Sequence, residues 1–268
     1  MIPVNDSPGF TFFSATVGPL SAIFLLTLFL LPSLGLSLFI SATNNYLTAI
    51  LIPTIALLFL TSHLGSPIGF FQRAILPDQY AALIIECLIW GTFLFINLYL
   101  IQLSSSSLRA FLPKSLSPPT ADEASESPPL FANLNTNTLI ALPITALIGT
   151  TMTYLTIQST DTAQSICSLI LAFAIASFIA RLVFPTANPA ILLFAPLLTA
   201  ISAYTFIWLS PAQYPSSDTI LKLIYTDQYP PIAYPLPIFY ASAGTLGIII
   251  GISISNGLEN ITYQQATT

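Results

Sequence analysis

Glu86 is the residue best placed to do chemistry in this chain, because it stands where a carboxylate is costly. It lies in Ile84-Ile85-Glu86-Cys87-Leu88-Ile89-Trp90, inside a long apolar run. A charge at the centre of a bilayer costs about 3 kcal/mol on insertion scales. The carboxyl must therefore be protonated, paired or wet. At roughly 100° per residue, Trp90, Phe93 and Asn97 share its helix face. That face carries an acid, an indole donor and an amide, and should point into a bundle. The chemistry it suggests is a proton or cation site, and the plainer alternative is one buried contact that fixes helix register. Arg73 and His63, expected on the same side of the membrane, are its candidate partners.

Other residues offer less. Arg73 and Arg181 each stand four residues before a proline, in Phe70-Phe71-Gln72-Arg73-Ala74-Ile75-Leu76-Pro77 and Phe178-Ile179-Ala180-Arg181-Leu182-Val183-Phe184-Pro185. Snorkelling to the interface explains both, and capture of an anionic headgroup is the alternative. The shared pattern, F-x-x-R-x-x-x-P, links spans that lie three helices apart, the offset of an inverted repeat, although three fixed positions in an apolar background also arise by chance and the first and fourth spans do not align at that offset without a gap. His63 reads as a surface residue at a helix end. Ala243, Gly247 and Gly251 recur every four residues, which lets two helix backbones approach closely. They suit packing within the bundle or against another subunit. Cys87 and Cys167 read as small apolar fillers.

The elements that must position these residues follow from composition. Only 6% of the 268 residues are charged and 54% are hydrophobic, against roughly a quarter charged in soluble domains. The fold class is all-α, a polytopic transmembrane helical bundle of about seven spans. A span needs about 20 apolar residues, and the runs are Val17–Ser41, Tyr46–Ser62, Tyr80–Leu103, Thr138–Ile157, Gln164–Phe184, Pro189–Leu209 and Ile238–Ser255. Treating Tyr46–Ser62, the shortest, as re-entrant gives six. Residues 1–16 form an extracytoplasmic segment with no positive n-region of a cleavable signal. Helices 1–3 occupy 17–103, and helices 4–7 occupy 138–255. Between them, 104–137 reads as a flexible Pro/Ser/acidic cytoplasmic linker. Within the second half, 210–237 reads as an interfacial segment whose many Pro and Tyr residues suit the headgroup zone. Asp218 is its expected helix cap. Residues 256–268 form a tail, and the whole is one membrane domain. Pro32, Pro53, Pro143 and Pro196 should bend their helices.

Arg109 and Lys114 after the third span, with Arg181 after the fifth, place those ends in the cytoplasm. The N-terminus is then outside and the C-terminus inside.

Scarcity excludes several classes. The single histidine supplies neither haem ligation nor a histidine metal centre, so no metal or other cofactor is expected. There is no H-E-x-x-H, no Walker A loop, no G-x-S-x-G, and no lysine in the last span to hold retinal. With so few cations, nucleic acid is not a partner. The expected surroundings are the lipid bilayer and either copies of the chain or other membrane subunits.

Tyr240-Ala241-Ser242-Ala243-Gly244-Thr245-Leu246-Gly247-Ile248-Ile249-Ile250-Gly251, with Arg181-Leu182-Val183-Phe184-Pro185, resembles uncharacterised multi-pass membrane proteins of planctomycete-type bacteria. The resemblance implies an inner bacterial membrane, no known activity and no functional residue.

The expected function is a non-enzymatic membrane scaffold or complex subunit holding partners through the last helix. The alternative is a small-solute or ion-coupled permease using Glu86. A permease should hold a polar cavity reaching the midplane beside Glu86 and Asn97. A scaffold should be filled and dry, with its Ala243/Gly247/Gly251 face open to lipid.

Overall fold

Inside a bilayer a backbone has no water to bond, so it must close its hydrogen bonds on itself. Helix is the only regular element among the described residues. The computed structural model describes residues 19–43, 46–63, 67, 71, 78–109, 135–211, 213–214 and 216–267.

The helices are α1 (Pro19–Thr43), α2 (Tyr46–His63), α3 (Asp78–Arg109), α4 (Thr136–Thr156) and α5 (Thr162–Val183). Next come α6 (Pro189–Leu192 and Ala195–Trp208) and the short α7 (Ser217–Tyr225). The last, α8, begins as Pro237–Phe239, widens to a π turn over Tyr240–Gly244 and continues as Thr245–Thr267. Five helices have the length and apolarity of a membrane crossing: Gln79–Leu103, Thr136–Thr156, Thr162–Val183, Pro189–Trp208 and Pro237–Leu258. The apolar segments Leu30–Ser41 in α1 and Tyr46–Ser62 in α2 are shorter. Most of the expected linker, residues 110–134, lies outside the described residues. Its first residues belong instead to α3, which continues through the serine run to Arg109.

Successive long helices alternate in direction and define two ends. At the first end lie the start of α3, the turn between α4 and α5, and the described residues from Leu209 to Pro237. At the second lie the end of α3, the start of α4 and the turn between α5 and α6. The helices also pair in a repeated order. α1 packs on α2 and α3, α4 packs on α5 and α6, and α3 meets α6. The π turn touches α2 and α5, and also α3 and α6. α8 is thus the central helix: 78% of its apolar window is buried, against 33% for α4. The first copy of the F-x-x-R-x-x-x-P pattern lies mostly outside the described residues.

Two prolines illustrate the accounting of backbone groups. Pro53 has no N–H to give the Ala49 carbonyl one turn back. Ser37 of α1 donates to that carbonyl instead, at 2.8 Å. Pro196 likewise cannot bond Leu192, and α6 breaks there, at Leu193 and Phe194. Hydroxyls elsewhere are absorbed locally. Thr54, Thr61, Thr92 and Thr145 each donate to the carbonyl four residues back, at 2.6–2.8 Å.

The outward faces carry Leu88, Leu147, Leu171, Leu182 and Ile254, each more than half exposed. A surface so apolar suits hydrocarbon, not water.

Gly247 and Gly251 face α5. A Cβ on Gly247 would stand 2.5 Å from the Ile170 carbonyl oxygen, and one on Gly251 would stand 2.2 Å from that of Ala174. Ala243 is fully buried. The expectation that this face lies open to lipid is therefore corrected. Ser177 of α5 donates to the Ile248 carbonyl at 3.2 Å in the same seam, so two backbones use this face to touch.

Two substitutions test this packing. Gly251→Ala should destabilise the bundle by about 2 kcal/mol or more, because a rigid backbone stands in the way. Ser37→Ala should cost about 1–3 kcal/mol, because the Ala49 carbonyl loses its donor. Thermal unfolding in detergent reads both. Ser253→Ala, at an exposed site whose hydroxyl donates to the Ile249 carbonyl of its own helix, is the control that should not move.

Candidate functional site: a buried acid beneath tied tyrosines

α3 brings Glu86 fully inside, with 0% exposure. Trp90, one turn on, is also buried, and its Nε1 donates to Glu86 Oε1 at 3.3 Å. The (i, i+4) spacing read from the sequence is what makes this contact. Asn97 is buried on the same helix, but it stands about 16 Å further along the axis. Its Nδ2 donates to the Phe93 carbonyl at 2.8 Å, and its Oδ1 has no hydrogen-bond partner among the described residues. Glu86 and Trp90 are therefore brought together, and Asn97 is not part of their contact. Asn97 and Trp90 border a void of about 10 Å³ with Pro53, Thr54 and Ala241. A space of that size is at the limit for a single water. Glu86 does not line that void.

Arg73 and the His63 side chain lie outside what the structure describes, so their expected pairing with Glu86 has no geometry to report. Arg181 does not snorkel. It is 9% exposed and folds back at the C-terminus of α5, where Nη1 donates to the Pro185 and Ala187 carbonyls at 2.5 and 3.1 Å. Its Nη2 donates to Asn256 Oδ1 of α8 at 3.3 Å. α5 ends at this turn, and the guanidinium supplies donors to two carbonyls of the turn residues. This cluster occupies the second end, far from Glu86.

Residues that sequence reasoning missed cover the first end. Four of the eight residues from Pro230 to Pro237 are proline and have no N–H. The Pro230, Pro231 and Leu236 carbonyls accept from backbone N–H groups within this strap or just after it, and two others take their donors from tyrosines. Tyr204 of α6 donates to the Pro235 carbonyl at 2.5 Å. Tyr240 of α8 donates to the Ile232 carbonyl. The hydroxyls of Tyr80 on α3 and Tyr229 share a hydrogen bond. Tyr229 also stacks on Tyr234 with centroids 5.6 Å apart, and meets Phe71 and Tyr214 edge-on at 5.7 and 5.8 Å. Tyr214, Tyr229 and Tyr234 are all buried.

These rings were expected at the headgroups. They lie at one end of the bundle with their rings buried against the protein, where Tyr204 and Tyr240 donate to strap carbonyls. Pro and Tyr crowded together in an otherwise apolar chain was the available signal. Burial, and then the neighbouring Tyr80, push the Tyr229 phenol well above its usual value, so it stays neutral.

α7 lies across the same end with Ile220 and Ile224 buried and Tyr225 exposed. Its cap is Ser216, not Asp218. The Ser216 Oγ accepts from the Thr219 N–H at 3.3 Å, and Asp218 sits in the first turn. Asp227 takes a left-handed conformation (φ 55°) after α7, turning the chain into the strap.

Glu86 lies about 9 Å below Tyr80 along α3. It is within electrostatic reach of Cys87 and of the Tyr204 phenol. Thr61 of α2 and Ser242 of the π turn share a hydrogen bond at 3.2 Å. A buried acid and a tyrosine-tied strap thus belong to the same end of the bundle. Among the described residues no group of three or more His, Cys, Asp or Glu side chains gathers to offer a metal-ligand set. Cys87 is buried and Cys167 exposed, and both are free thiols.

No protein-family model, no curated protein and no solved structure matches this chain.

Asn97→Leu should raise thermal stability in detergent by about 1 kcal/mol, since it replaces a buried amide with an unsatisfied acceptor by a side chain of similar size. A loss of stability would show that Asn97 holds a water or partner through Oδ1.

Proposed function

We propose that the chain is a multi-pass membrane protein with seven crossing helices, serving as a non-enzymatic scaffold or subunit of a membrane complex. The contrast between one small interior void and two large lateral grooves carries this reading. The space beside Trp90 and Asn97 holds about 10 Å³, whereas the lateral faces carry two open apolar grooves. One, of about 470 Å³, lies over α6 between α3 and α4, lined by Cys87, Gly91, Thr92, Leu142 and Leu197. The other, of about 560 Å³, lies between α5 and α8 beside Cys167, Ala174 and Ile254. Partners, in this reading, meet the lateral faces and not the glycine seam.

Support for seven crossings comes from the packing of α1 on α2 and α3. The 18 residues of α2 span about 27 Å, close to the hydrocarbon thickness. The first end faces outward and the second, with the C-terminus, faces the cytoplasm of a bacterial inner membrane. The positions of Arg109, Lys114 and Arg181 favour this orientation.

A permease is the second reading. Two observations favour it: an acid buried in a span, and the matched pairing of two oppositely oriented helix triplets around the π turn.

Native gel and mass analysis from gently solubilised source membranes separates the two. A subunit runs in an assembly well above the 28.8 kDa of the chain, and Gly91→Phe, which fills a groove with room for it, disperses that assembly while the chain stays folded. A chain that runs alone, and that moves protons or small solutes across liposomes, would overturn the scaffold reading in favour of the permease.

A further inference from the structure

We propose that the junction of α2, α3 and the π turn of α8 is a hydration hinge. Its walls part to seat one water between Asn97 and Thr54, and close again when that water leaves.

Two oxygens define the site. Asn97 is 1% exposed, and its Nδ2 is committed to the Phe93 carbonyl at 2.8 Å. Its Oδ1 has no hydrogen-bond partner among the described residues. Thr54 of α2 is buried too, and it borders the same void of about 10 Å³. Its hydroxyl gives its proton to the Ile50 carbonyl at 2.8 Å, so the oxygen remains an acceptor. A water carries two donors, one for each of these oxygens, and two polar partners are the fewest a buried water needs. No ionisable side chain lines the void. A cation seated there would have no balancing charge in the lining, so the ligand that matches two acceptors in apolar surroundings is neutral.

The walls define the motion. A void of this size is at the lower limit for a water, so seating one at both oxygens requires the walls to move apart. Two of the three walls are irregular where they border it. In α2, Pro53 has no N–H, and the Ala49 carbonyl is held by Ser37 of α1 instead. In α8, Ala241 belongs to the π turn. Interruptions of this kind are where helices bend. The narrow form leaves an acceptor unsatisfied, and the widened form immobilises a water. Those two costs are of similar size, which is the condition for a pair of forms that exchange. Because the π turn also packs on α5 and α6, the motion reaches both helix triplets. The hinge is independent of the scaffold reading, since a complex subunit and a permease can equally carry it.

Amide hydrogen exchange of the full chain in lipid nanodiscs tests this, read at Tyr240–Gly244 under ambient and raised hydrostatic pressure. Pressure favours filled over empty space, so it should speed wild-type exchange. Asn97→Leu should slow exchange there by about tenfold at ambient pressure and remove the pressure response, because the first acceptor is gone. Thr54→Val keeps the shape, removes the second acceptor and should act in the same direction. The double variant should slow exchange no more than Asn97→Leu alone, because one water is lost only once. The wild-type pressure response stands even where Asn97→Leu fails to assemble. Wild-type exchange indifferent to pressure would overturn the hinge, as would unchanged exchange in Asn97→Leu. Additive effects of the two substitutions would overturn the shared water. Faster exchange in Asn97→Leu would mean a partner held permanently at Oδ1, and would overturn the alternation.

Discussion

Polar groups in hydrocarbon must find partners within the protein, and that constraint explains most of what this chain does with its few polar atoms. Where a proline removes an N–H, a hydroxyl from a neighbouring element takes its place. Ser37 serves the Ala49 carbonyl, and Tyr204 and Tyr240 serve Pro235 and Ile232. Arg181 does the same for the turn after α5. Each substitution of one donor for another ties two elements together, so satisfying the backbone also fixes the tertiary structure.

Close packing at the centre follows from the same economy. With no hydrophobic drive between helices in lipid, contact area must come from backbones that approach closely. Gly247 and Gly251 allow α8 to lie against α5, and the fully buried π turn reaches four other helices. π turns occur often at functional sites. Here the turn packs on both α2 and α6, and its Ser242 bonds Thr61. The strap, the π turn and the acid therefore share one end of the bundle, and a change at one has a physical route to the others.

Much of this was legible in residue order. Tyr46–Ser62 and Pro189–Leu209 as read from hydropathy fall within a residue or so of α2 and α6. The Glu86–Trp90 contact follows from helical spacing alone, as does the small-residue face of α8. What escaped was direction at the third dimension. A tyrosine beside prolines reads identically whether it faces headgroups or a carbonyl inside. An arginine at a helix end reads identically whether it reaches out or folds back. The π turn carries no period of its own and was invisible. Asn97 shares a helical face with Glu86, yet their separation along the axis left them in different surroundings.

The account stands on the outward leucines meeting lipid. The direct measurement is spin-label accessibility, in nanodiscs and a cysteine-free background, at Leu88, Leu147, Leu171 and Ile254 in turn. Membrane-dissolved oxygen should reach all of them, and a water-soluble nickel chelate should reach none. Free access by the chelate at these positions would mean that water, not hydrocarbon, surrounds the helices, and the membrane bundle described above would be wrong.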